Sequence, residues 1–311
     1  MKLAAIDIGS NAIRFQITNV INFRGVTTFK KVEYVRFPLR LGEDVFKNNS
    51  IGPIKEGQFL KLMHTFKMLI ELYEVEDYII CATSAMRESQ NGRSIANKVK
   101  EMFDLDIQIV DGDREAEIIN KVIFNELDGS SYIHIDVGGG STELNIFYNK
   151  EKIAANSFKL GSVRRLGGDD SPLEWNRMKE WVKENVSLHL RPITAIGTGG
   201  NISKIYELAN LPRSRNIKSS INFFQIEEVQ KLLSSYTLEE RINILMLNPD
   251  RADVILPASE IYLSVMKESS AKEIIVPEVG LKDGLLLILY DRHKDKFTQP
   301  SQGLGSLNIV E

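Results

Sequence analysis

The chain has 311 residues, 43% hydrophobic and 26% charged, a length that suits about two ordinary domains, each with a sizeable core. Its formal net charge of −3 gives the whole molecule no attraction to a polyanion, so no specific nucleic-acid partner is expected and any polyanion must be held by a local cluster of cations. One cysteine, Cys81, excludes an internal disulfide and fits a reducing compartment, so a cytoplasmic location is expected.

Read from the start, MKLAAIDIGS holds only a four-residue apolar run before Asp7, too short for a signal peptide. Residues 2–8, 13–20 and 26–36 read as three strands joined by tight turns. Ser50 and Pro53 open an amphipathic helix in which Phe59, Met63, Phe66, Ile70 and Tyr73 recur at helical spacing. A strand at 78–82, a helix at 92–103, a strand at 107–110 and a helix at 114–125 complete a βββαβαβα order. The order then recurs. Residues 132–137, 142–148 and 152–158 read as strands, and Ser171-Pro172-Leu173-Glu174 as a capping box opening a helix through Trp181. A strand at 193–196 and a helix at 202–209 follow. Residues 226–268 add helices that the first half lacks; 273–276 reads as a strand, and a last helix runs from Leu281 to about His293. Its apolar run from Leu285 to Tyr290 falls far short of the roughly 20 residues of a membrane span, so no membrane partner is expected.

The segment NELDGSSY divides the chain into 1–125 and 126–311, the second part carrying the helical insertion and a final helix free to pack back on the first. Alternating strands and helices give an α/β class, while the leading meander excludes a purely parallel sheet. Duplicated βββαβα units resemble the ribonuclease-H-like domains of the actin, sugar-kinase and Hsp70 superfamily, two of which face each other across a central cleft. Two unrelated α/β domains are the plainer alternative.

Asp7 and Asp136 each end a first strand and enter a glycine turn: Gly9-Ser10-Asn11 in one case, Gly138-Gly139-Gly140-Ser141 in the other. Glycine lets backbone N–H groups converge on an anion, and the hydroxyls and Asn11 add donors. Beside phosphate a bare carboxylate would repel, so the aspartates read as ligands of Mg²⁺ or another divalent cation. A hairpin whose aspartate bonds its own backbone is the alternative for either turn alone. Glu143, seven residues past Asp136 on the next strand, returns toward it and can share the metal. GTGGNISKIY, with Gly197, Thr198 and Gly199, is a strand end feeding a helix N-terminus suited to phosphate, though neither a Walker loop nor a dinucleotide fingerprint. Arg14, Arg87, Arg93, Lys159, Arg164 and Arg165 offer positive charge near these turns, arginine's fork matching phosphate oxygens. Glu115, opening a helix, serves its dipole if taken alone.

Taken together, AAIDIGSNAIRF, ATSAMRESQNG, VDGDREAEII, HIDVGGGSTEL, KLGSVRRL, AIGTGGNISK, RADVILPA and VGLKDGLL resemble, in order, the exopolyphosphatase / guanosine pentaphosphate phosphohydrolase family, in its short two-domain form. The resemblance implies Mg²⁺-dependent hydrolysis of the terminal phosphoanhydride of inorganic polyphosphate, or of the 5′-phosphate of guanosine pentaphosphate, and leaves a homodimer open. It implies that Glu115 is the general base, that Asp136 and Glu143 bind the metal, and that Arg87 binds phosphate. Gly138 to Ser141 and Ser10-Asn11 would be the phosphate loops. Three positions depart from the family pattern: Ala12 stands where serine is usual, Arg114 where a first acid is usual, and Glu278 has no assigned role. Long members continue into a further helical domain past the point where this sequence stops, and the four histidines make no metal-ligand pattern. A non-catalytic sensor of guanosine tetraphosphate or polyphosphate is the alternative of another class, against which the joint presence of Glu115, Asp136 and Glu143 speaks. A sugar kinase or Hsp70-like ATPase would share the fold.

Overall fold

The computed structural model describes residues 1–168, 170–211, 218–277 and 279–298; Glu278 lies outside them. Eleven strands form two mixed sheets among the described residues. The first contains β1 (Lys2–Ile8), β2 (Ile13–Phe23), β3 (Val26–Phe37), β4 (Asp77–Ala82) and β5 (Ile107–Ile109) in the order β3-β2-β1-β4-β5. The second contains β6 (Ser131–Val137), β7 (Thr142–Tyr148), β8 (Glu151–Phe158), β9 (Ile193–Thr198), β10 (Ser220–Asn222) and β11 (Glu273–Ile275) in the order β10-β11-β9-β6-β7-β8. In each sheet an antiparallel meander leads into parallel neighbours: β1 with β2 and β4, β6 with β7 and β9. The duplicated pattern is therefore present, with β10 as an extra antiparallel edge on the second copy.

β1 shows why a central strand reads as continuously apolar. Ala4, Ile6 and Ile8 face a core with Phe15, Phe59, Met63 and Phe66, where Phe15 and Phe66 stack at 4.7 Å. Leu3 and Ala5 face the opposite way, into a core shared by both sheets. That shared core holds Tyr132, Phe147 and Ile196 of the second sheet, Ile118, Ile119 and Ile123 of the helix Gly112–Ile123, and Leu281, Leu285, Leu286 and Leu289 of the helix Leu281–His293. The two helices cross at Gly284, where an added Cβ would lie 2.3 Å from the Ile118 carbonyl oxygen. The last helix thus packs against the helix and sheet of the first copy. No described helix is long and apolar enough to cross a membrane.

Several elements depart from the sequence reading. Short helices Leu41–Asn48, Ser84–Glu88 and Ser162–Leu166, and strand β10, were not expected; each is shorter than the stretch over which a repeating apolar pattern stands out. The helix expected at 202–209 starts at Gly199, so the glycines of GTGG are partly its first turn. Ser171 accepts from the Glu174 amide as an N-cap, but the Glu174 carboxylate accepts from the Lys159 amide and Arg177 instead of closing a box.

Candidate active site

Register alone assembles the site. Asp7 pairs with Arg14 across β1 and β2, and Arg14 pairs with Arg36 across β2 and β3. At the same place in the second sheet, Asp136 pairs with Glu143 on β7 and with Thr198 on β9, and Glu143 pairs with Ser157 on β8. Side chains directly opposite each other in a ladder share a face, so each sheet presents a row of polar groups at its strand ends. The rows differ in sign: Asp-Arg-Arg in the first, Asp-Glu in the second.

The turns that follow bring the rows together. A Cβ on Gly139 would sit 2.9 Å from the Ser10 Cβ and 3.2 Å from the Asn11 amide nitrogen; one on Gly140 would sit 2.4 Å from the Ser84 hydroxyl. Gly139 leaves room for the two turns to touch, and Gly140 for Ser84 and Phe46 to pack against the second turn. Between them opens a cavity of about 470 Å³ lined by Asp7, Ser10, Asn11, Arg14, Glu115, Asp136, Gly138, Gly139, Ser141 and Gly199, and also by Lys31, Tyr34, Arg36, Ser84, Asn201, Ser203, Arg251 and Lys282. Asp7 and Asp136 therefore face one opening.

Arg14 Nη1 donates to Asp7 Oδ2 at 2.7 Å, so Asp7 lines the cavity paired with a cation. Among the described residues, Asp136 and Glu143 make no such ion pair. Burial pushes Asp136 up to about 6, with Asp7 adding and the Thr198 hydroxyl and Arg14 opposing. Burial, then Asp136, pushes Glu143 up to about 7, although Ser141 Oγ and Ser157 Oγ donate to its Oε1 at 2.6 and 3.1 Å. Glu143 stands behind Ser141 rather than on the cavity wall. Glu115 is raised well above the usual carboxylate range by burial first, then by Glu143 and Asp136. Its Oε2 is buried without a hydrogen-bond partner, and the nearest cation, Arg87 Nη1, is 3.8 Å away.

Among the described residues no three acidic, histidine or cysteine side chains gather closely enough to hold a metal by themselves, so the expected Asp7, Asp136 and Glu143 trio is not a ready-made cage. The donor set still fits Mg²⁺, which binds one or two carboxylates and completes its shell with water and substrate phosphate. The buried, unpartnered oxygen of Glu115 and the mutually repelling Asp136 and Glu143 mark a place short of positive charge.

Other expected residues are placed elsewhere. Arg164 is not on the cavity wall: its Nε donates to the Gly140 carbonyl at 2.7 Å, its Nη2 reaches both oxygens of Glu88 at 2.7 Å, and its guanidinium lies 4.1 Å from the Phe46 ring centroid. Buried and so engaged, it fastens the second glycine turn to the helix Ser84–Glu88, a correction to its expected phosphate contact. Arg87 also faces inward, donating to the Val110 carbonyl at 2.8 Å. Gly197 packs under Ile274 and Ile202, and Thr198 is fully buried, so of GTGG the cavity meets Gly199 and Gly200.

The cations that do line the cavity are Arg14, Lys31, Arg36, Arg251 and Lys282. Only Arg14 was singled out from sequence. Arg36 lies in the row with Arg14, a relation visible only once β3 is in register. Arg251 sits inside the quoted RADVILPA segment; its Nη1 donates to Asn201 Oδ1 at 2.7 Å, and burial followed by Arg36 and Arg14 lowers it to about 10, still charged at neutral pH.

Two ribonuclease-H-like lobes of the actin superfamily, with glycine turns, acids and arginines converging on one cleft, define a phosphate-handling protein. The chain belongs to the Ppx/GppA phosphatase family, whose model matches residues 20–293. It is 31% identical to a bifunctional 3-dehydroquinate synthase/phosphatase of Fusobacterium nucleatum, covering 88% of this chain and 44% of that one. It is 24% identical to exopolyphosphatase 2 of Mycobacterium tuberculosis, covering 93% and 98%, and 24% identical to a guanosine-5′-triphosphate,3′-diphosphate pyrophosphatase of Aliivibrio fischeri, covering 93% and 59%. The chain thus spans about half the length of the first and third of these relatives. A solved exopolyphosphatase from Cytophaga hutchinsonii shares the fold with a TM-score of 0.81 at 22% identity, covering 94% of this chain and 98% of that one.

Proposed function

We propose that the protein is a divalent-cation-dependent phosphoanhydride hydrolase that removes the terminal phosphate of inorganic polyphosphate as orthophosphate. The observation that carries this reading is Glu115: a carboxylate on the lining of the cavity that the two glycine turns share, with no hydrogen-bond partner for its buried Oε2 among the described residues. From the cavity wall the carboxylate can meet a water molecule, and a raised pKa brings a general base closer to working pH.

In this reading the terminal phosphate lies against Gly138, Gly139 and the Ser10-Asn11 turn, with Arg14 neutralising equatorial oxygens. Asp136 would hold Mg²⁺ from the cavity wall, with Glu143 behind Ser141 adding negative charge nearby; when bound, the ion would supply Lewis-acid polarisation of phosphate oxygen and charge neutralisation. Glu115 accepts a proton from the attacking water as its oxygen bonds to phosphorus. The bridging P–O bond breaks, the shortened chain keeps that oxygen, and orthophosphate departs. Lys31, Arg36, Arg251 and Lys282 add cations to the lining, Arg36 paired with Asp250 and Lys282 with Asp283, which suits a linear polyanion. A second reading, removal of the 5′-phosphate of guanosine pentaphosphate, is favoured by Tyr34, an aromatic ring on the cavity lining with the Lys31 and Lys282 ammonium groups each 5.8 Å from its centroid.

Phosphate release from polyphosphate with Mg²⁺, and from guanosine pentaphosphate in competition at equal concentration, tests both. Glu115→Gln is expected to lose on the order of 10²–10⁴ in kcat. Unchanged turnover in that variant, or none in the wild type with any divalent cation, refutes the reading.

A further inference from the structure

Behind the cleft, one face of the second sheet holds a buried polar pair that the chemistry above does not use. His134 and Asn145 are directly opposite on β6 and β7, one step below Asp136 and Glu143, and both are fully buried. The next pair down is Tyr132 with Phe147, part of the core shared by the two sheets. A histidine and an asparagine are costly there, and Asn145 Oδ1 has no hydrogen-bond partner among the described residues, whereas an apolar pair would carry no such penalty. Each such group in a folded protein calls for a reason.

The hydrogen bonds supply one. Asn145 Nδ2 lies 3.0 Å from His134 Nδ1, and His134 Nε2 lies 2.9 Å from Thr198 Oγ1. Thr198 is also the cross-strand neighbour of Asp136 on β6, its side chain on the same face. The Asn145 amide nitrogen can only donate, so the direction of the chain is fixed from that end. His134 Nδ1 must accept from it; His134 Nε2–H must then donate to Thr198 Oγ1; and the Thr198 hydroxyl proton is left for its neighbour Asp136. Gly199 closes the other side: its φ is +85°, and an added Cβ would lie 2.9 Å from Asp136 Oδ1.

Resting on the reading that Asp136 holds the metal, we infer that His134 is a positioning residue, locked by Asn145 as the Nε2–H tautomer so that the Thr198 hydroxyl is aimed at Asp136 and the carboxylate is held in one orientation toward the cleft. Partners of this kind, one bond removed from a metal-binding carboxylate, fix its direction and its metal affinity. The relay acts through Asp136 and touches neither substrate nor water.

The test has two arms. The first is the proton position in the wild type at neutral pH, read from ring ¹⁵N–¹H correlations of ¹⁵N-histidine-labelled protein; the chain has four histidines, and the His134 signals are those lost in His134→Leu. The Nε2–H tautomer is expected, and the Nδ1–H tautomer overturns the relay whatever any variant does. The second is the Mg²⁺ dependence of phosphate release. His134→Leu is expected to raise the half-saturating Mg²⁺ concentration by ~10-fold while polyphosphate KM stays within about 2-fold, and His134→Gln, which keeps a donor toward Thr198, to recover most of it. Equal loss of melting temperature in both variants with unchanged Mg²⁺ dependence shows a packing role only and overturns the inference. Wild-type protein that hydrolyses neither substrate sinks the functional reading instead, and the tautomer result remains to be read separately.

Discussion

Asp136→Asn puts the charge balance of the cleft to a direct measurement. Burial holds the Asp136 carboxyl at about 6 against an ordinary 3.8. A difference of about 2 pKa units corresponds to about 3 kcal/mol. The carboxylate is partly accessible from the cleft, and water screening trims this to about 1–2 kcal/mol. Because the folded-state pKa lies above the unfolded one, the folded protein is favoured fully below about pH 4, and that advantage is lost as pH rises through about 6. Asparagine keeps the shape and an acceptor for Thr198 without the charge. In chelator, the variant should therefore come close to the wild type at about pH 3.5 and exceed it by about 1–2 kcal/mol at about pH 7.5, a few degrees in melting temperature. Saturating Mg²⁺ should stabilise the wild type at the higher pH and close the gap, since a ligand of the native state adds stability by mass action. Comparing the two proteins at each pH cancels every other titrating group. A stability difference that is the same at both pH values, or a less stable variant at about pH 7.5 without metal, refutes the reasoning.

Other consequences are as specific. Arg164→Ala strands Glu88 and the Gly140 carbonyl in a buried setting, so unfolding measurements should show a loss of about 3 kcal/mol. Gly140→Ala has no room, with its Cβ 2.4 Å from the Ser84 hydroxyl and 2.5 Å from Phe46; the glycine turn must move, and phosphate release should fall sharply in a protein that still shows native circular dichroism. Arg251→Ala removes a charged donor from the cavity wall and should raise substrate KM by roughly 10-fold, with kcat changed less, in steady-state assays.

The duplicated fold was legible because each copy writes the same signals: an aspartate at a strand end, a glycine turn, a returning strand. Periodicity found the long elements for the same reason. It missed Leu41–Asn48 and Ser162–Leu166, which are too short for a period and exist through the contacts they make, Phe46 under Arg164 among them. Arginines were the least legible part of the site. Arg164 and Arg251 both sit in segments that sequence singled out, but one is consumed by Glu88 and Gly140 while the other lines the cavity. Nothing local separates them, because the difference lies in partners far along the chain, Glu88 for Arg164 and Asn201 for Arg251. His134 was read only as a histidine without metal-ligand company, and its partners Asn145 and Thr198 are 11 and 64 residues away.

The two rows of strand-end residues explain why one cleft can serve both a cation and an anion. Had both copies kept an arginine opposite the aspartate, the site would neutralise itself and attract phosphate alone; with an acid opposite in both, phosphate would be repelled. The first sheet carries Arg14 and Arg36 in line with Asp7, and the second carries Glu143 beside Asp136. One wall is thereby matched to phosphate oxygens and the other to a divalent cation. Burial raises both acids, and among the described residues neither makes an ion pair, so the strand-end row of the second sheet holds no cation. A substrate that arrives with Mg²⁺ brings opposite charge to both walls at once. A phosphate chain without metal meets attraction on one wall and repulsion on the other. Metal and polyanion should therefore bind cooperatively: half-saturating Mg²⁺ falls as polyphosphate rises, and the reciprocal shift in polyphosphate affinity is of equal size. Independent binding of the two, seen as an Mg²⁺ requirement that does not move with substrate concentration, would contradict this division of charge between the sheets.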